Sequence, residues 1–389
     1  MSNKQQKVKQ RIYLDYASLT PVDPRVLKVM NEFSAPKYAN PSSWYKEGVA
    51  AKEALLQARN GVASFLHAHA DEMVFTSGGT EANNIAIQGL LDNVEKGHKP
   101  HIIISEIEHS SIKEAVMEME KRGCEVTQVG VDENGLVDRD ALKKSMKKNT
   151  VLVSVMMVNN EIGTLENIRD IAKLVRHARG QNVFPVLHTD AAQAGLFCDL
   201  NVEKLGVDLL TLDAGKMYGP RGTGVLFVKR RLRALMKSIV FGGGHENGLR
   251  SGTENLASIV GFAKALDLVG VEREKETKRI SELKKMFAEG LMKIRSDIYT
   301  NGEADFTSPY ILNISIPGID NEFFVMQLDA AGIACSTKSS CLRDEDESYV
   351  LKAIGADSNT SVRFSFGRWT KKEDVVKVLG VIRKLLTKS

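Results

Sequence analysis

One stretch of the chain, LDAGKMYGPRGTG, places Lys216 in a Gly/Pro turn between two apolar runs. The runs, Leu209–Leu212 and Val225–Val228, have the composition of buried strands, so Lys216 is expected at the mouth of a buried scaffold. A lysine there loses water, which favours its neutral amine, and a neutral amine forms a Schiff base with an aldehyde. An isolated match of this kind is more often a surface lysine, so the interpretation depends on partner residues elsewhere.

A second stretch, SGGTEANN, follows the predicted strand Met73–Thr76 and precedes a helical pattern of apolar residues. In such a turn, free backbone N–H groups and the helix dipole favour an anion. A phosphate is therefore expected at Gly78, Gly79 and Thr80. Taken alone the signal is weak, because two glycines occur in many strand-to-helix turns that bind nothing.

Further polar residues follow other predicted strands, at the end of an α/β sheet where ligands bind. They are His109, Asn159, Asn160, Asp190 and Gln193. Each of these residues also has a structural explanation that needs no ligand. Asp190 has the position of a helix N-cap, and a lone histidine after a strand is usually an ordinary residue.

The four cysteines, Cys124, Cys198, Cys335 and Cys341, have no zinc-site spacing and are expected to be reduced thiols. Cys341 lies in a polar, Ser-rich segment close to Lys338, a setting that favours an ionised thiol. Cys335, in the sequence GIACST, resembles a buried structural cysteine. Cys341 is therefore the preferred candidate nucleophile and Cys335 the alternative. No metal site is predicted.

The chain has 389 residues, of which 43% are hydrophobic and 26% charged, a composition typical of a soluble enzyme with room for two domains. Its net charge of +4 is small, and the basic cluster at 229–233 is too short to indicate nucleic-acid binding. No apolar run is long enough to span a membrane, and residues 1–10 lack the apolar core of a signal peptide. A cytoplasmic location is the resulting expectation.

Apolar strand patterns alternate with amphipathic helix patterns, which predicts an α/β fold: a mostly parallel sheet covered by helices on both faces. The strands are predicted at 73–76, 102–105, 125–131, 151–158, 185–189, 209–212 and 225–228. Beyond Val240, a glycine-rich loop, a long charged helix from Glu272 to Ile294 and further strands predict a smaller α+β domain. We therefore expect a large domain over residues 20–260 and a small domain over 1–19 and 261–389.

Over nearly its whole length the chain resembles the cysteine desulfurases, which are fold-type I enzymes of the class V aminotransferase group and use pyridoxal phosphate (PLP). In chain order, the stretches that carry the resemblance are LDYASLTPVDP, NPSS, FTSGGTEANN, the Glu108-His109 pair, VNNEIG, HTDAAQ, GKMYGPRGTG, GGGHENGLRSGTEN, SYVLKAIG and VRFSFGR. Each stretch taken alone is weak evidence for the family. In this order and spacing they are specific for the fold and the cofactor.

The resemblance implies cofactor-binding roles for the candidate residues. Lys216 would hold PLP and shuttle the α-proton of the substrate. Asp190 would face the pyridine nitrogen and keep it protonated. His109 would stack on the ring and relay protons, and Gln193 would donate to the phenolic oxygen. The phosphate would lie on Gly79 and Thr80.

The resemblance also implies how substrate and sulfur are handled. Asn160, next to the cofactor, and Arg363 would orient L-cysteine, with Arg363 gripping its carboxylate as a bidentate fork. Without the resemblance, a surface salt bridge would be the better interpretation of Arg363. Cys341 would attack the substrate sulfur, giving an enzyme persulfide and alanine. A homodimer is implied, in which Thr253 of one subunit reaches the phosphate site of its neighbour, and an acceptor protein would then take the sulfur.

Three positions depart from the family pattern. Asp213 replaces a usual phosphate-binding serine, Gly215 a usual histidine, and Tyr45 a usual histidine in the NPSS loop. A carboxylate repels a phosphate, so we expect Asp213 near the phosphate to pair with Arg221 and PLP to bind less tightly than is usual.

Two rival functions remain open. A selenocysteine lyase or another class V enzyme would need no cysteine persulfide, so it would tolerate loss of Cys341. A non-catalytic scaffold that keeps the fold would lack the yellow chromophore of PLP. The acceptor is equally open, with iron–sulfur assembly and tRNA thiolation as the main alternatives.

Overall fold

The computed structural model describes residues 11–91, 99–302, 306–337 and 347–387. The described strands are β1 (Ile12–Tyr13), β2 (Met73–Thr76), β3 (His101–Ser105), β4 (Glu125–Val129), β5 (Thr150–Ser154), β6 (Val186–Asp190), β7 (Leu209–Asp213), β8 (Gly224–Val228), β9 (Tyr299–Thr300), β10 (Ile311–Ser315), β11 (Ile333–Ala334) and β12 (Ser361–Ser365). The described helices are α1 (Pro24–Ser34), α2 (Lys46–Phe65), α3 (Gly79–Leu91), α4 (Ser110–Lys121), α5 (Arg139–Ser145), α6 (Ile168–Arg179), α7 (Val202–Leu205), α8 (Leu256–Ile294), α9 (Asn321–Ala330), α10 (Tyr349–Ala353) and α11 (Lys372–Leu386). Cys341 and Lys338 lie outside the described residues.

The main sheet has the strand order β2-β8-β7-β6-β5-β3-β4 within the described ranges. The five strands from β7 to β4 run parallel, and β8 lies antiparallel to both of its neighbours. The predicted α/β class with a mostly parallel sheet is therefore confirmed. The carboxyl ends of β3, β5, β6 and β7 meet at one edge, which is where the polar candidates were expected.

Strands of the main sheet carry apolar side chains on both faces. Met73 and Phe75 of β2 pack into one hydrophobic cluster, and Val74 between them packs into the other. Strand residues alternate between faces, so such an uninterrupted apolar run is stable only when helices cover both sides.

The C-terminal part builds a second core around the antiparallel strands β12-β10-β9 and the parallel pair β1-β11. An isolated bridge from Ser336 to Arg363 joins β12 to the segment after β11. Arg363 also pairs with Asn313 of β10, so its backbone is held on both sides.

Helix α8 contributes to both cores. Its first half packs against the main sheet, and its second half, including Phe287, packs into the C-terminal core. The predicted start near Glu272 was wrong: the helix begins at Leu256, where the side chain of Asn255 accepts a hydrogen bond from the Ser258 N–H. The domain boundary at residue 260 stays a prediction.

Among the described residues, no helix is long and apolar enough to cross a bilayer.

Candidate active site

A cavity of about 200 Å³ lies at the carboxyl ends of the parallel strands. Most of the predicted site residues line it: Gly79, Thr80, His109, Asn160, Asp190, Gln193, Asp213, Lys216 and Arg363. All of these except Arg363 come from the main sheet, its helices and the turns after its strands, whereas Arg363 comes from β12. The cavity therefore lies where the two hydrophobic cores meet.

Lys216 ends a short 3₁₀ turn that follows β7 directly. Its Nζ donates hydrogen bonds to two backbone carbonyls of the N-terminal segment, to Ala17 O at 3.0 Å and to Ser18 O at 2.6 Å. These two carbonyls orient the amine in the cavity. Gln193 donates to the same Ala17 carbonyl at 2.8 Å, so both side chains lie against one loop.

Asp190 is the last residue of β6, and its side chain is buried. Its Oδ1 accepts a hydrogen bond from the Ala192 N–H at 3.0 Å, and its Oδ2 accepts one from Asn83 Nδ2 at 2.8 Å. No ion pair with a Lys, Arg or His of the described ranges satisfies this carboxylate. A buried anion held by neutral donors is suited to a cationic group of a ligand.

His109 caps the N-terminus of α4 through its ring. Its Nδ1 lies 2.8 Å from Ser111 Oγ and accepts from the Ser111 N–H at 3.2 Å. Ser111 Oγ in turn accepts from Asn83 Nδ2 at 2.8 Å. Asn83 and Ser111 were not predicted from the sequence, although Asn83 follows Thr80 by three positions and so shares its helix face.

Arg363 is buried, only 1% exposed, which rules out the surface salt bridge considered for it. Its Nη2 contacts Asp15 Oδ1 and Ser18 Oγ, each at 2.9 Å, and its Nη1 donates to the Asn160 carbonyl at 2.7 Å. Its Nε finds no hydrogen-bond partner within the described ranges. A substrate carboxylate would share this guanidinium with Asp15.

The structure overturns the expected pairing of Asp213 with Arg221. Asp213 Oδ2 accepts from the Gly79 N–H at 2.9 Å, and Oδ1 accepts from the Gly215 N–H at 2.8 Å. Arg221 is exposed, and no ion pair joins it to Asp213 in the part of the chain described. The carboxylate thus bonds one of the N–H groups at the start of α3 that were expected to bind phosphate.

The aminotransferase class-V family model matches residues 12–378 of the chain. The chain belongs to the class-V aminotransferase family. It is 39% identical over 385 residues to the cysteine desulfurase IscS of Dictyoglomus turgidum, covering 98% of this chain and 96% of the relative. It is 40% identical over 371 residues to the cysteine desulfurase IscS of Proteus mirabilis, covering 94% and 90%.

Solved structures are also similar to this chain. A NifS-like protein matches with a TM-score of 0.91 and 31% identity, over 98% of this chain and all of the other (100%). The structure of SspA in complex with cysteine matches with a TM-score of 0.80 and 30% identity, over 91% of this chain and 98% of the other.

The cofactor of this class-V protein is PLP, and the cavity fits it. The Lys216 amine, which lines the cavity, suits the aldehyde. The buried Asp190 carboxylate, which lacks a cationic partner among the described residues, suits a protonated pyridine nitrogen. The start of α3 at Gly79 suits the phosphate, with Asp213 as a competing anion.

One predicted residue, Thr253, is not brought into this cavity. Thr253 is exposed and lines a separate cavity of about 270 Å³ together with Ser77 and Arg250. Cys341 lies outside the described residues. Tyr45, the replaced histidine of the NPSS loop, is 56% exposed and immediately precedes α2.

The Cys335 thiol and the Glu108 carboxyl both have raised pKa values. Burial raises the pKa of the Cys335 thiol to about 12, so this thiol is protonated at neutral pH. Burial also raises the pKa of Glu108, the residue before His109, to about 8. Glu108 Oε1 accepts from Ser105 Oγ and from the Met156 N–H, each at 2.7 Å.

Proposed function

We propose that this class-V protein is a PLP-dependent cysteine desulfurase, which converts L-cysteine to L-alanine and keeps the sulfur as a persulfide on Cys341. One observation carries the proposal: the Lys216 amine, the buried Asp190 carboxylate and the buried Arg363 guanidinium line one cavity. Amino-acid chemistry on PLP requires an amine that binds the cofactor, a carboxylate that faces the ring nitrogen and a guanidinium that holds the substrate carboxylate.

The residues of the site have two kinds of role: some hold the cofactor and the substrate, and one transfers a proton. PLP, when bound, supplies an electron sink for the bonds at the substrate α-carbon. Asp190 keeps the ring nitrogen protonated, and Arg363 with Asn160 orients the substrate carboxylate. The Lys216 amine accepts and returns the α-proton, because it lines the cavity and the Ala17 and Ser18 carbonyls hold it there.

The sulfur step requires a thiolate. Cys341 Sγ attacks the sulfur of L-cysteine, an S–S bond forms, and the Cβ–S bond of the substrate breaks. The electron pair of the broken bond stays with the carbon skeleton and becomes a C–H bond of alanine on protonation. One enzyme thiol and one cysteine thus give one persulfide and one alanine, and no external oxidant is needed. Cys335 is a poor alternative, since its pKa is raised to about 12.

The setting of the enzyme is also part of the proposal. We expect a cytoplasmic homodimer in which Thr253 serves the phosphate site of the neighbouring subunit, since Thr253 is exposed and outside the cavity of its own chain. The persulfide sulfur would pass to an acceptor protein such as an iron–sulfur scaffold.

The cofactor assignment is tested by borohydride reduction of the purified protein and peptide mass analysis. The pyridoxyl group is expected on Lys216, and the Lys216→Ala variant should carry no label. A label on another lysine would contradict the proposal.

The sulfur step is tested by replacing each cysteine in turn. Cys341→Ala should retain the PLP chromophore but form no persulfide and release no sulfide from L-cysteine, because the nucleophile is lost and the binding site is not. Cys335→Ala is the matched control and should remain active. If Cys341→Ala still turns over, the selenocysteine lyase or another class V activity is the better assignment.

A further inference from the structure

A continuous hydrogen-bonded chain links Asp190 to His109 across the floor of the cavity. Asn83 Nδ2 lies 2.8 Å from Asp190 Oδ2 and 2.8 Å from Ser111 Oγ. Ser111 Oγ lies 2.8 Å from His109 Nδ1. Asn83 is 1% exposed and Ser111 8% exposed, so water competes little for these groups.

The chemistry of the groups fixes the direction of each bond. An ionised carboxylate only accepts, so the amide of Asn83 must turn its NH₂ group towards Asp190. Its second proton then goes to Ser111 Oγ, and the serine hydroxyl has its own proton left for His109 Nδ1. The Ser111 N–H also points at Nδ1, at 3.2 Å. With two donors directed at Nδ1, the proton of the neutral imidazole resides on Nε2.

The orientation of the Asn83 amide that allows these hydrogen bonds costs free energy. Its Oδ1 is buried and finds no hydrogen-bond partner in the described part of the chain. A buried acceptor without a partner is unfavourable, and such groups in folded proteins usually have a functional reason. Here the reason is visible, since rotating the amide would place its oxygen against the Asp190 carboxylate.

We propose that Asn83 is a positioning residue that acts through Ser111 to hold His109 as its Nε2–H tautomer and, at the same time, fixes the rotamer of Asp190. The Nδ1 lone pair of His109 is then occupied by the Ser111 donors, and its Nε2–H is left as the hydrogen-bond donor of the ring. The use of this donor in turnover rests on the proposed function, whereas the tautomer itself does not.

The tautomer is measured directly by NMR of the full-length holoenzyme labelled with ¹⁵N-histidine. The signals of His109 are assigned by their loss in His109→Gln. In the unsubstituted protein they should show a protonated Nε2 and an unprotonated Nδ1. Ser111→Ala removes only the hydroxyl, and Asn83→Ala removes the donor behind it, so both should shift these signals towards a tautomer mixture.

Two further variants sharpen the test. The double variant Asn83→Ala with Ser111→Ala should resemble Ser111→Ala, because Asn83 acts on His109 through the hydroxyl. Asn84→Ala is the matched control, since the Asn84 side chain bonds the Thr80 carbonyl on the same helix and not this network. It should leave the His109 signals unchanged.

Turnover of L-cysteine gives a second readout. Asn83→Ala should lower kcat about tenfold with little change in KM, since a ring donor and a carboxylate that are no longer held in place affect the transition state more than substrate binding. Unchanged His109 signals in both Asn83→Ala and Ser111→Ala would overturn the inference. Absence of alanine formation by the unsubstituted enzyme would instead overturn the proposed function and leave the tautomer result standing.

Discussion

Asp213 places a negative charge at the end of the cavity where the phosphate is expected. Replacing it by Ser should tighten PLP binding, because Asp213 both repels the phosphate and bonds the Gly79 N–H. At about 5 Å and an effective dielectric of about 20, the repulsion is roughly 3 kcal/mol per unit charge. Asp213 is partly exposed, so solvent screening reduces the expected gain to about tenfold in Kd. Titration of the apo-enzyme with PLP measures it.

Pyridoxal, which lacks the phosphate, is the control ligand for this prediction. Its affinity should hardly change in Asp213→Ser. Asp213→Asn keeps an acceptor for the Gly79 N–H and removes only the charge, so it should give part of the gain. Equal PLP affinity in all three proteins would mean that the carboxylate does not act on the phosphate.

Glu108 makes the stability of the fold depend on pH. It is fully buried, and its pKa rises from 4.5 to about 8 on folding because burial penalises the carboxylate. Between these values the folded state binds more protons than the unfolded state, so the unfolding free energy falls as pH rises. The stabilising contribution is complete below pH 4.5 and is lost as pH rises through about 8.

Glu108→Gln keeps the shape of the protonated acid and does not titrate. Thermal unfolding at several pH values should show the native protein losing Tm towards pH 9 more steeply than this variant. Other titrating groups are common to both proteins and cancel in the comparison. Parallel Tm curves would show that Glu108 does not ionise in this range.

At this scale the sequence predicted the residues that lie in strong local motifs. Lys216 lies between a strand and a Gly/Pro turn, and Asp190 ends an apolar strand. Asn83 could not be found in this way, because its partners Ser111 and Asp190 are 28 and 107 positions away. Such contacts depend on the packing of α3 against two strand ends, which local sequence patterns do not report.

Helix α10 is the element that holds the C-terminal side of the segment carrying Cys341. The Tyr349 hydroxyl donates to the Glu108 carbonyl at 2.6 Å, and Ser348 Oγ donates to Glu161 Oε2 at 2.6 Å. Lys113 Nζ lies 3.5 Å from the centre of the Tyr349 ring. The helix is thus fixed to the strand end next to His109, although Cys341 itself is eight positions earlier in the chain.

Tyr349→Phe should slow persulfide formation without releasing PLP. One hydrogen bond contributes about 1 kcal/mol, so a roughly fivefold slower single-turnover release of alanine is expected. The PLP absorbance should be unchanged, which separates positioning from general unfolding. Tyr299→Phe, at a side chain that is 47% exposed, is the matched control. Identical alanine release in both variants would show that α10 does not position the nucleophile.

Most element positions were predictable because apolar periodicity is a local property. The predicted start of the C-terminal helix at Lys372 agrees with the structure, as does the strand Met73–Thr76. The start of α8 was missed by sixteen residues. Its first half follows a glycine-rich loop and is rich in small residues, so its helical face is defined by packing against α1 and α2 and not by a charged pattern.

At the scale of the whole molecule, the site needs both cores. Lys216 and Asp190 belong to the main sheet, and Arg363 belongs to the C-terminal sheet, where its guanidinium reaches back to the Asn160 carbonyl. The sequence predicts the elements that build both cores, but it does not predict the distance between the two cores. That distance depends on α8, which packs into each core, and on β1, which carries the segment with Ala17 into the cavity.

The proposed dimer can be tested through the position of Thr253. If Thr253 completes the phosphate site of the neighbouring subunit, Thr253→Ala should weaken PLP binding in both sites of the homodimer by about tenfold, the typical worth of one hydrogen bond to a charged group. Lys216→Ala should be inactive. A mixed dimer of these two variants then contains one complete site: the Lys216 of one subunit with the Thr253 of the other.

Differently tagged subunits allow this mixed dimer to be purified and assayed at a low PLP concentration. Its desulfurase activity should reach about half that of the native dimer, because one of two sites binds PLP with full affinity. If Thr253 acts on its own chain, the one site with Lys216 also lacks the threonine, and the mixed dimer keeps the weak PLP binding of Thr253→Ala. A monomer by light scattering would contradict the dimer itself, since no second subunit could then supply the threonine.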